Sequence, residues 1–156
     1  MPLSVRSESG QSDKPHQQCV FVFGTLKEGF PNFHRNQGSR IPGVFKTVES
    51  YPLYLVGERY SPWLVLAAGE GHPVIGQVFC VDDVALAEMD ALERITQRDG
   101  YRRLEIKVMN VDTGLKQRVW VYGKPTASLL TADIRVELEG DYSLEHAALY
   151  IRRTQA

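Results

Sequence analysis

Residues 20–32 read VFVFGTLKEGFPN, and the reading of the fold starts where this stretch changes character. Val20, Phe21, Val22 and Phe23 make an apolar run of strand-favouring residues that Gly24, Thr25, Leu26, Lys27 and Gly29 then break. The pattern predicts a buried strand opening into a loop. Glycine at such an exit lets the main chain approach a ligand closely or take positive φ. Successive N–H groups from Thr25 and Leu26 then have room to converge on an anion without a cationic side chain. Turn geometry alone also accounts for glycine and threonine at a strand exit, so the loop by itself leaves both readings standing. Neither the GxxxxGK[ST] nor the GxGxxG spacing of nucleotide-binding loops occurs.

Working outward, residues 1–18 are polar and rich in Ser, Gln, Lys and Pro, a composition that buries too little surface to offset its ordering entropy. They are read as a flexible N-terminal extension, and residues 19–156 as a single domain long enough for a core without staples. A formal charge of −1, with 24% charged and 43% hydrophobic residues, gives no electrostatic bias toward nucleic acid or membrane. The expected partner is a small molecule, and the composition does not set an oligomeric state. Cys19 and Cys80 lie in apolar, strand-like runs where a thiol serves as a small hydrophobe, and two cysteines make no disulfide framework. A reducing cytoplasm is the expected location. The sequence contains no long apolar span or signal-peptide core, so neither insertion nor export is expected.

Short strand-like runs follow at 44–48, 53–56 and 63–67, separated by Tyr51-Pro52, Gly57 and Ser61-Pro62, with a polar, irregular stretch or short helix over 34–40 before them. Residues 74–81, VIGQVFCV, predict a clearer strand in which Gly76 marks a bulge or a close backbone approach. Leu86, Met89 and Leu92 then recur every third residue behind Asp82 and Asp83, predicting a helix over 84–93 with an aspartate N-cap. Residues 101–111 and 117–122 alternate around Asp112-Thr113-Gly114 and predict a hairpin. Beyond Pro125 the pattern is less regular until Ser143, which is suited to cap a short helix carrying Leu144, Ala147, Ala148 and Ile151. Many strands with a helix between only one consecutive pair exclude a regular βαβ array. The expected fold is α+β: a small mixed β-barrel with flanking short helices.

Glu93 breaks the helix pattern. Stepping about 100° per residue from Leu86 places Ala85, Met89 and Leu92 in an arc from about 240° to 360°, and Glu93 at about 340°, inside it. It also stands at the C-terminal end of the helix, where the macrodipole disfavours negative charge by roughly 0.3–1 kcal/mol. Two local rules broken together point to a functional position. A carboxylate against apolar walls is driven toward its neutral form, which suits a general base. The competing reading is an ion pair with Arg94, Arg98 or Arg102, or a helix that frays before Glu93.

Other chemistry is poorly served. His16, His34, His72 and His146 are widely spaced and form no HExxH, so no metal site is expected. No serine sits in GxSxG, and neither cysteine has an electropositive setting, which leaves no covalent nucleophile. Trp63, Trp120, Tyr54 and Tyr122 read as core aromatics, and Arg102, Arg103 and Lys107 as a solvated strand face.

FGTLKEGFPN resembles the YGTLKxGxxN loop of the γ-glutamylcyclotransferase-like superfamily. YPLYLVGERYSPWLV, VIGQVFCVDD, MDALE, YRR and VWVYG resemble successive blocks of its γ-glutamylamine cyclotransferase (AIG2-like) branch, in the same order, and Gly140-Asp141-Tyr142 is similar to a later Gly-Asp-aromatic element. The resemblance implies a mixed barrel whose loop backbone binds the α-carboxylate of a γ-glutamyl group. It also implies that a glutamate at the helix end, Glu93 by motif, is the acid/base, and that no cofactor is used. The reaction it implies is release of 5-oxoproline and free amine from a γ-glutamyl amine or amide, by attack of the substrate's own α-amine. Phe23, Gly24, Thr25 and Leu26 are the expected substrate loop, with Tyr101 and Tyr122 bordering the pocket. Phe23 departs from the family tyrosine and removes a hydroxyl there, which favours the rival expectation of a non-catalytic module binding a carboxylate-bearing metabolite.

Overall fold

The computed structural model describes residues 17–151. Residues 1–16, where the N-terminal extension is expected, and residues 152–156 lie outside it, while Gln17 and Gln18 already belong to the first strand. In chain order the strands are β1 (Gln17–Val22), β2 (Ser39–Tyr51), β3 (Leu53–Val56), β4 (Ser61–Leu64), β5 (His72–Asp82), β6 (Arg102–Asn110), β7 (Lys116–Gly123) and β8 (Ile134–Leu138). Helices α1 (Asp83–Leu92) and α2 (Leu144–Ala147) and short 3-10 turns at Phe33–Arg35 and Thr126–Thr131 complete the elements.

The fold is the expected mixed barrel with short helices. Strands β1, β5, β2, β6 and β7 close it in that order, and the seam is a parallel contact between Val20 of β1 and Trp120 of β7. A second sheet, ordered β4, β3, β8, lies outside the closed barrel. The unbroken apolar run of β1 has a direct cause. Phe21 and Phe23 point into the barrel core with Phe45, Leu64 and Val108, whereas Val20 and Val22 point to the other face against Ala85, Leu86 and Met89 of α1. A strand buried on both faces has no polar side to alternate with. The Asp82 carboxylate caps α1 by accepting from the Ala85 N–H at 2.8 Å, a contact worth ~1 kcal/mol.

Three expectations are corrected. β2 runs from Ser39 to Tyr51 rather than over 44–48, because Pro42 and Gly43 sit in an irregularity between the Ile41 and Phe45 pairings, where Gly43 takes φ 110 and the strand bends around the barrel without ending. The strand expected at 63–67 is β4, displaced toward Pro62, which its edge position tolerates. β8 was not expected, since only Leu138 of its residues is buried and no alternation shows. Gly76 marks a close approach: a Cβ there would overlap the Val22 carbonyl oxygen and the Phe21 ring.

Candidate active site

The barrel wall opens where β1 ends, into a cavity of about 780 Å³. All seven residues singled out in the sequence line it: Phe23, Gly24, Thr25 and Leu26 on the loop, and Glu93, Tyr101 and Tyr122 from other segments.

The loop is held by its carbonyls. Gly24 C=O accepts from the Lys27 N–H at 3.1 Å, Thr25 C=O from the Asn32 N–H at 2.8 Å, and Leu26 C=O from Asn36 Nδ2 at 3.1 Å. In a planar trans peptide the N–H points opposite to the C=O. With the Gly24 and Thr25 carbonyls turned into the loop, the N–H groups of Thr25 and Leu26 point out of it, and among the described residues no acceptor takes them up. Asn32 ties the two ends together through its side chain as well, donating from Nδ2 to Thr25 Oγ1 at 3.0 Å. Gly24 does not use positive φ; it is needed because a Cβ would stand 2.8 Å from Pro62 Cγ. Lys27 does not line the cavity. Its buried side chain runs the other way to donate to the Tyr142 carbonyl at 2.6 Å, over the Phe30 ring, and burial lowers the pKa of its ammonium.

Glu93 is the C-cap of α1, so the helix does not fray before it: its N–H donates to the Met89 carbonyl at 2.9 Å, and its own carbonyl accepts from the Tyr101 N–H at 3.0 Å. The side chain is half-buried. The chain turns sharply next, with Arg94 at φ 58, a left-handed conformation at the position where helices commonly end in glycine. The reversal is tight enough that a Cβ on Gly100 would overlap the Arg94 carbonyl. The Arg94 guanidinium pairs with Asp99 at 2.9 Å and holds that carboxyl below its usual range. Arg102 donates to the backbone carbonyls of Gln97, Gly100 and Tyr101.

One turn before Glu93, Asp90 anchors a network that sequence reasoning missed. Arg103 grips it with Nε at 2.8 Å and Nη2 at 3.2 Å, and the Tyr122 hydroxyl donates to its Oδ1 at 2.6 Å. Arg103 also stacks 4.4 Å over the Trp120 ring, so it is a packed ligand of Asp90 and not part of a solvated face. Burial, and then the hydrogen bond to Asp90, push the Tyr122 phenol well above the ordinary tyrosine range, with Glu93 adding to the effect. Tyr122 is therefore a fixed, neutral donor. Tyr101 donates its hydroxyl to the Pro62 carbonyl at 2.9 Å. Lys124, almost fully buried, packs 4.5 Å from the ring centroids of both Trp63 and Tyr101 and donates to the Asp99 carbonyl at 2.6 Å. No signal marks Lys124 in the sequence. Asp90 and Arg103 carry a trace, being placed three residues before Glu93 and on a regularly alternating strand.

Among the described residues no cluster of three or more His, Cys, Asp or Glu is placed to hold a metal, and no helix is long and apolar enough to cross a membrane.

Solved structures place the fold first. A crystal structure of an AIG2-like protein from Mus musculus superposes with a TM-score of 0.72 at 28% identity, covering 90% of this chain and 99% of that one. A structure described as gamma-glutamyl cyclotransferase shares the fold, with a TM-score of 0.59 at 14% identity, covering 78% of this chain and 70% of that one. The family follows from sequence. A family model described as gamma-glutamyl cyclotransferase, AIG2-like, matches residues 20–152, and the chain belongs to that family. The gamma-glutamylaminecyclotransferase of Mus musculus is 34% identical over 116 residues, spanning 69% of this chain and 78% of that protein. The gamma-glutamylaminecyclotransferase of Homo sapiens is 42% identical over 80 residues; the match spans 47% of this chain and about half, 52%, of the human protein.

Proposed function

We infer that this cyclotransferase-family enzyme releases 5-oxoproline and a free amine from a γ-glutamyl amine or amide. The α-carboxylate of the substrate sits on the outward N–H groups of Thr25 and Leu26, which folds the glutamyl chain so that its α-amine lies over its own γ-carbonyl. Glu93 accepts a proton from the α-ammonium. The freed lone pair attacks the γ-carbonyl and the new C–N bond closes a five-membered ring. As the old C–N bond breaks, protonated Glu93 gives its proton to the departing nitrogen, and the regenerated carboxylate takes the second proton from the ring nitrogen and passes it to the released amine. The proton count balances with no enzyme nucleophile and no cofactor. Fixing the substrate in its near-attack shape is worth up to ~7–11 kcal/mol, against a factor of ~10²–10⁴ for one proton shuttle, so positioning carries most of the rate. The overall change is that of a carbon–nitrogen lyase, and a reducing cytoplasm suits the two free thiols, Cys19 and Cys80.

The observation that supports this reading is the shared cavity: acceptor-seeking loop amides and the one glutamate that violates its helix line the same space. Phe23 is what favours the rival, a non-catalytic carboxylate-binding module. Its ring, however, is buried in the barrel core cluster, so packing holds that end of the loop without a hydroxyl. Incubation with γ-glutamyl-lysine derivatives, γ-glutamyl dipeptides and glutathione, followed by assay for 5-oxoproline, separates the two. The cyclotransferase reading expects release from at least one of them; saturable binding with no release from any supports the module.

A further inference from the structure

A glutamyl unit fills only part of a cavity of about 780 Å³. The lining beyond the loop includes Arg35, Glu58 and Arg59, and Arg35 and Glu58 are exposed, so the cavity has a mouth to solvent there. A leaving group larger than ammonia has room to extend that way.

A hydrogen-bonded wall runs toward this mouth from the loop. Asn32 Nδ2 donates both to Thr25 Oγ1 at 3.0 Å and to the Tyr150 hydroxyl at 3.2 Å, and Arg59 Nη2 donates to the same hydroxyl at 3.3 Å. Arg59 Nε is fixed on the Ile151 carbonyl at 3.0 Å. The Tyr150 oxygen thus accepts twice, and what it has left to offer is its own proton. Arg59 has its second terminal nitrogen left to offer, and among the described residues neither that nitrogen nor the Tyr150 proton has an acceptor. Both groups present only donors to the cavity, and a guanidinium nitrogen beside a phenol hydroxyl gives a carboxylate two donors, one of them charged. Arg35 and Arg59 against Glu58 leave the mouth net positive.

We propose that Arg59 and Tyr150 form the leaving-amine subsite and select γ-glutamyl substrates whose amine carries a carboxylate. This rests on the cyclotransferase reading of the same cavity and adds what decides among its substrates. Neutral alkylamines leave these half-buried donors unanswered, and cationic amines face the guanidinium groups, so both are turned over less efficiently.

Three γ-glutamyl amides of matched length test it: those of γ-aminobutyrate, butylamine and putrescine, assayed for 5-oxoproline with the full chain. The expected order of kcat/KM is anionic above neutral above cationic, with the anionic amide favoured by roughly tenfold or more over the neutral one and the difference residing in KM. Arg59→Met should collapse that ratio, and Arg59→Lys should restore part of it. The ratio is the readout because Arg59 also anchors Ile151, and a purely structural role lowers turnover of every amide alike. Tyr150→Phe should reduce the ratio by a smaller factor. Equal kcat/KM for all three in the wild type, or a ratio unchanged in Arg59→Met, overturns the subsite while leaving the cyclotransferase reading intact. Absence of 5-oxoproline from all three, with release from γ-glutamyl-lysine, a γ-glutamyl dipeptide or glutathione, overturns the subsite alone; absence from those as well overturns both.

Discussion

The two walls of the cavity are made of different material. The loop wall offers main chain: its side chains are turned away or tied down, Lys27 to Tyr142 and Thr25 to Asn32, and its carbonyls are consumed so that its amides face outward. The opposite wall offers side chains brought from separate segments, with Glu93 at the end of α1, Tyr101 just before β6, and Tyr122 on β7 pinned to Asp90. A main-chain wall tolerates changes of side chain but not of backbone space. A side-chain wall fails with a single functional group. The contrast ranks the following substitutions.

The largest effect is expected at Glu93. Glu93→Gln removes the proton acceptor with little change of shape, so kcat should fall by ~10²–10⁴ while thermal unfolding stays close to wild type. Near-normal 5-oxoproline release from this variant would place the base elsewhere. Next comes Gly24→Val, where the new side chain meets Pro62 at the position where even a Cβ stands 2.8 Å from Cγ. Loss of about 1.4 kcal/mol of substrate binding would raise KM roughly tenfold, measurable by initial rates, and an unchanged KM would show that the loop backbone does not contact substrate.

Thr25 and Asn32 sharpen the distinction. Thr25→Val keeps every loop amide and loses one hydroxyl, so its KM should change by no more than a few-fold. Asn32→Ala removes the side-chain ties to Thr25 and to Tyr150 and keeps only the backbone one, and should raise KM more than Thr25→Val does. The reverse order would mean that the threonine hydroxyl, not the backbone, binds substrate.

The last effect falls on stability and its dependence on pH, not on turnover. Burial and the Asp90 hydrogen bond raise Tyr122 above the ordinary tyrosine value of 10.0, so the folded chain keeps this proton after the unfolded chain has released it. The stability contributed by the neutral phenol is complete below that value and declines as the pH rises beyond it. Denaturant unfolding of Tyr122→Phe should show a shallower alkaline decline than wild type. At neutral pH the same variant should be destabilised by ~1.5–3 kcal/mol, through the lost hydrogen bond to a charged group.

Local pattern carried much of this architecture. The strand-to-loop break at Gly24, the capped helix after Asp82, the hairpin around Asp112 and the misplaced Glu93 are all written in residues near one another in sequence. What stayed hidden depends on contacts between distant segments. Arg103 looks like any exposed cation on an alternating strand until the barrel brings Asp90 beside it, and Lys124 is buried only because Trp63 and Tyr101 enclose it. β2 hid behind Pro42 and Gly43, which read as breakers when pairing with β5 is unknown. The Arg59–Tyr150 wall joins residues far apart in the chain, so no spacing rule could reveal it.

A crystal structure of the chain with 5-oxoproline tests the central claim most directly. The account predicts the carboxylate of the ligand within hydrogen-bonding distance of the Thr25 and Leu26 N–H groups, and its ring nitrogen facing the Glu93 carboxylate. A ligand bound with its carboxylate on Lys124 or Arg94, or outside the cavity altogether, would contradict it.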